Sequence, residues 1–79
     1  MEQQEVQEKV IQIIRDHFGA GAGEISLETN FVQDLNADSL DSVELIMDFE
    51  DAFDINVPDE KGETIKTVED AVNVVSGLV

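Results

Sequence analysis

The chain has no cysteine, tryptophan or tyrosine, one proline, one histidine and only four basic residues, and each shortage removes a class of function. Without cysteine there is neither a disulfide framework nor a thiolate metal cluster, and His17 alone leaves a zinc site short of nitrogen ligands. No dedicated metal site and no metal catalysis are expected. No run approaches the roughly eighteen consecutive apolar residues of a membrane span. The acidic opening Glu2-Gln3-Gln4-Glu5 lacks the basic start of a secretory signal. A cytoplasmic protein without membrane insertion is the expectation. No Lys or Arg stands between Arg15 and Lys61, and nineteen Asp plus Glu bring the net charge to −15. Such a surface repels nucleic-acid phosphates and favours basic protein partners.

What is present reads as one domain over residues 1–79, monomeric, and short enough to bury only about 60–65% of the surface its unfolded chain exposes. A hydrophobic fraction of 42% argues against disorder, because it recurs with helical spacing. Val6, Val10, Ile11, Ile14 and Phe18 predict a first helix over residues 2–18, and three glycines within residues 19–23 end it. His17 fits the end of that helix, where the dipole favours it. From residue 24 to 36 no period persists, but Ile25, Leu27, Phe31 and Leu35 are candidate anchors for a long loop.

A second helix is predicted from Asp38, acting as N-cap toward the N–H of Leu40 or Asp41, to about Phe53. Its apolar positions form two stripes: Leu45, Ile46, Phe49 and Phe53 suit a core, and Leu40, Val43 and Met47 lie beside them, partly exposed. Pro58 breaks the pattern, and residues 59–65 make at most a short helix weakened by Gly62. Thr67 with Asp70 three residues on forms a variant capping box for a last helix turning Val68, Ala71, Val72, Val75 and Leu78 inward. The fold class is all-α: a small four-helix bundle with three main helices, one short helix and a long first loop.

Ser39 is the residue around which function turns. A serine nucleophile needs a base, and the strand-to-helix hydrolase turn needs glycines where this chain has Ala37 and Asp41. Asp34, Asn36 and Asp38 imitate the start of a calcium loop, but Ser39 replaces its glycine and Leu45 its final glutamate. The clustered carboxylates suit weak divalent binding as charge relief. With Asp38 as cap, Ser39 in the first helical position is free to point outward.

The run Leu35-Asn36-Ala37-Asp38-Ser39-Leu40-Asp41-Ser42-Val43-Glu44-Leu45 closely resembles the helix-start motif of acyl carrier proteins, and the likeness extends over most of the chain. It implies that Ser39 is linked to 4'-phosphopantetheine, taken from coenzyme A by a phosphopantetheinyl transferase. The protein would then be a carrier of acyl thioesters and no enzyme. It further implies that the second helix docks the basic patches of fatty-acid synthase component enzymes, with Asp38, Asp41, Glu44, Glu50 and Asp51 as acidic contacts and Leu40, Val43 and Met47 as apolar ones. A carrier of acyl chains must shelter them, and Ile46, Phe49, Ile65, Ala71 and Val72 are the expected cleft. The Asp-Ser-Leu form of the motif and the stretch Phe53-Asp54-Ile55-Asn56-Val57-Pro58-Asp59 resemble carriers of dissociated fatty-acid synthesis. Asn36 departs from the glycine common there, leaving a specialised carrier for polyketide or other lipid pathways as an alternative. From another class, the alternative is an unmodified acidic interaction or divalent-cation-responsive module.

Overall fold

A computed structural model describes residues 2–19 and 25–79. Among these residues four helices follow one another: α1 (Gln3–Phe18), α2 (Ser39–Phe53), α3 (Asp59–Gly62) and α4 (Val68–Leu78). Val6, Val10 and Ile14, one turn apart, are fully buried, so α1 presents a single stripe to the α2 and α4 faces it packs against. Val68, Ala71, Val72 and Val75 supply the facing stripe of α4, and Leu45, Phe49 and Phe53 that of α2. Leu78 is half-buried at the end of its helix, and Ile46, expected in the core stripe, is half-buried as well. The reason is angular: Leu45, Phe49 and Phe53, four residues apart, already occupy the arc facing the core, so the next position sits on its shoulder.

Capping fixes where the helices begin. Asp38 accepts from the Asp41 N–H (3.0 Å) while the Asp41 carboxylate accepts from the Asp38 N–H (3.1 Å). Thr67 and Asp70 make the same reciprocal pair at α4, and the Asp70 carboxylate also accepts from the Lys66 N–H. Those N–H groups, led by that of Lys66, hold the Asp70 carboxyl below the usual carboxylate range.

The long first loop is tied down by backbone. Phe31 N–H donates to the Lys66 carbonyl, Val68 N–H to Thr29 and Glu69 N–H to Leu27, around an isolated Asn30–Thr67 bridge. Asn30 adds an internal turn, its side-chain oxygen accepting from the Val32 and Gln33 N–H groups. Ile25 and Phe31 are buried as anchors, and Leu27 and Leu35 pack half-buried against the core they belong to. The loop therefore delivers the chain to the start of α2 at a fixed place. Of the glycine connector, only Gly19 lies within the described residues; it closes α1 at φ 78°, a conformation suited to glycine.

Candidate functional site

Ser39 is the first residue of α2 and is exposed. The turn before it is tight: Asn36 has φ 58°, and buried Ala37 donates its N–H to the Phe31 carbonyl. Asn is one of the few residues that enter the left-handed region at modest cost, so the turn forms without glycine. The Ser42 hydroxyl turns back onto the Asp38 carbonyl (3.3 Å). Ser39 instead borders an open groove of about 570 Å³ whose walls include Val43, Ile46, Val57, Gly62 and Ile65.

The groove continues inward. Ile46, Gly62, Ile65 and Ser42 are shared with a small cavity of about 20 Å³ that Phe31, Leu45 and Phe49 close off. That volume admits roughly one water-sized sphere, so a hydrocarbon chain enters only if the walls part. The structure thus brings three of the expected cleft residues, Ile46, Phe49 and Ile65, to one cavity. It does not bring Ala71 and Val72 there. Both are buried on the α4 face of the central core, which accounts for their apolar character without any cleft. Phe31, Leu45 and Gly62 take their places; Gly62 could be suspected from sequence only as a weak point in a short helix.

Along the exposed side of α2, Leu40, Val43 and Met47 are 64%, 54% and 56% exposed, too much for residues serving the core. Asp38, Glu44 and Asp51 are exposed beside them, and Asp41 and Glu50 are half-buried. Glu50 is engaged internally: its carboxylate accepts from the Val57 N–H (2.8 Å), fixing the segment that leads out of α2. Asp34 accepts from the Asn30 N–H and Asp38 caps α2, so two members of the calcium-like series serve their own backbone.

Sequence reasoning missed what His17 does. From the last turn of α1 its Nε2 lies 3.1 Å from Asp41 Oδ1 and 3.9 Å from Glu44 Oε2, and its Nδ1 lies 3.9 Å from Asp48 Oδ2. The hydrogen bond from His17, followed by that from the Asp38 N–H, holds the Asp41 carboxyl below the usual range. An available signal was the spacing of Asp41, Glu44 and Asp48 on one face of α2, with a lone imidazole elsewhere to meet it.

The geometry is therefore an exposed serine at a helix start, beside a groove with apolar and polar walls and an acidic, partly apolar helix face. The sequence profile described as the phosphopantetheine attachment site matches residues 8–75. The chain belongs to the acyl carrier protein family. It is 49% identical over 73 residues to the acyl carrier protein of Picosynechococcus, covering 92% of this chain and 90% of that one. It is 48% identical over 75 residues to that of Prochlorococcus marinus, covering 95% and 94%. A Mycobacterium tuberculosis structure assigned as an acyl carrier protein superposes with a TM-score of 0.84 at 30% identity, covering 91% of this chain and 96% of that one. As in the family, the cofactor is 4'-phosphopantetheine and the work is the carriage of acyl groups. Ser39, exposed and first in its helix, fits such a group, since unpaired N–H groups at a helix start favour a phosphate. None of the helices among the described residues is long and apolar enough to cross a membrane.

Proposed function

We propose that Ser39 bears the phosphopantetheine arm and that residues 1–79 act as one carrier unit, monomeric and cytoplasmic, shuttling acyl intermediates of fatty-acid synthesis between separate enzymes. The observation that carries this is the position of Ser39: exposed, first in α2, and on the wall of a groove that shares Ile46, Gly62 and Ile65 with the interior cavity. The arm supplies the thiol on which acyl groups ride; the chain supplies attachment, orientation and shelter, and catalyses nothing itself. Asn36 takes the left-handed backbone that glycine would take in that turn, so this departure from the usual motif leaves the presentation of Ser39 intact.

In this reading the partners are a phosphopantetheinyl transferase and synthase component enzymes with basic patches. They meet Asp38, Asp41, Glu44 and Asp51 around an apolar strip of Leu40, Val43 and Met47, which is small enough to keep each encounter transient. Glu50 belongs at the edge of that surface, with one oxygen already committed to Val57. The acyl chain threads from the groove into the cavity between Ile46, Phe49 and Ile65, and each methylene it buries contributes about 0.8 kcal/mol toward parting the walls.

The test is loading. Incubated with coenzyme A, magnesium and a promiscuous transferase, the chain should gain one phosphopantetheine by intact mass, and Ser39→Ala should gain none. A wild-type chain that stays unmodified, or a loaded Ser39→Ala, overturns the assignment.

A further inference from the structure

We propose that His17 is a positioning residue of the docking helix, which holds Asp41 in place and, when protonated, mutes the acidic face as one unit. The proposal rests on the docking reading above.

An ionised carboxylate only accepts hydrogen bonds, so in the 3.1 Å contact to Asp41 the hydrogen sits on Nε2 of the imidazole. A neutral ring then turns a bare Nδ1 toward Asp48 at 3.9 Å. Protonation places a donor there as well, and a positive charge within 4 Å of three carboxylates. The position is enclosed: the His17 side chain is 13% exposed, with the Phe18 ring edge-on at 4.9 Å, whereas Glu44 and Asp48 are about half exposed at 52% and 51%. The imidazole therefore acts from behind on carboxylates whose outer sides remain open to a visitor.

No other element contradicts this. On α1, Asp16 accepts from Gln12, and Arg15 is exposed one residue before the ring. On α4, Glu69 and Asp70 stand in the first turn, with Asp70 bound to the N–H groups of Lys66 and Thr67. Among the described residues, the carboxylates of α2 are the ones within ion-pair distance of the ring.

Asp41 links this pair to the attachment site. Its Oδ1 takes the imidazole while its Oδ2 accepts from the Asp38 N–H, in the turn that presents Ser39. His17 is thus connected through one carboxylate to the backbone of Asp38, the residue before Ser39. A cation brought by a partner must approach the same Asp41 and Glu44. A second ring proton would add a cation at that same place, so the competition depends on whether His17 is protonated.

The experiment compares the full chain with His17→Gln, whose amide can donate to Asp41 but cannot become charged. Steady-state kinetics with one phosphopantetheinyl transferase are read at pH 8, 7 and 6, so that the transferase's own titration cancels in the wild-type to variant ratio. The expected result is a KM ratio that rises about two- to fourfold from pH 8 to pH 6, the effect of one added charge near a docked cation, with the kcat ratio flat. A KM ratio constant over that range overturns the proposal, as does a change carried by kcat. A second readout needs no loading: in the unmodified chain, the carboxyl-carbon NMR signals of Asp41, Glu44 and Asp48 should follow the His17 ring through one common transition that His17→Gln abolishes. Carboxyl signals that ignore the ring also overturn it. Failure of Ser39 to load would instead show in the intact mass, which separates the two readings.

Discussion

Among the described residues, two other than glycine hold a left-handed backbone, Asn36 at φ 58° and Asp54 at φ 55°. They differ in what they gain from it. Asn36 shapes the turn that presents Ser39, whereas Asp54 closes α2, its N–H bonded to the Glu50 carbonyl, and places a negative charge at the negative end of the helix dipole. Asp54→Gly removes both the strained Cβ and the misplaced charge. It should stabilise the fold by about 0.5–1 kcal/mol, a rise in Tm of roughly 2–8 °C by thermal melting. An unchanged Tm would mean that greater freedom of the unfolded glycine cancels the gain.

Among the elements, α2 is divided by angle into a core stripe, a solvent-facing apolar stripe and an acidic stripe, and α3 is too short to stand except by leaning on it. The contact between them is close at Gly62: a Cβ there would lie 2.9 Å from Ile46 Cδ1. The atom in the way is the far end of a side chain, so Gly62→Ala should displace it by rotation at a cost of about 1 kcal/mol. Improved helix propensity of similar size offsets that cost. Stability should hardly change, while the passage between groove and cavity narrows. On the carrier reading, thioesters of long acyl chains should then hydrolyse faster on Gly62→Ala than on the parent, and short ones at the same rate. Equal chain-length profiles would place the chain elsewhere.

For the molecule as a whole, charge is the dominant stress. With a net charge of −15, the ion pairs among the described residues all share the one imidazole, so most carboxylates repel without compensation. The longest dimension is 29 Å, about three Debye lengths at 0.1 M salt, so added salt removes most of this repulsion. Raising sodium chloride from about 10 to 200 mM should raise Tm by several degrees and slow association with a basic partner. A Tm independent of ionic strength would show that the carboxylates are already far enough apart for water to screen them.

The four helices, their caps at Asp38 and Thr67 and the candidacy of Ser39 were legible in the chain itself, because period, capping chemistry and motif are local: each is set by residues three or four apart. Helix arrangement and contacts between elements were not. That Ala71 and Val72 face the core and Gly62 the cavity depends on how α4 is turned against α1 and α3 against α2, which no spacing within either helix encodes. That His17 meets Asp41, Glu44 and Asp48 depends on the end of α1 arriving beside the start of α2 after a loop of twenty residues, and that approach is set by burial of Val10, Ile14, Leu45 and Phe49 rather than by anything adjacent to the histidine.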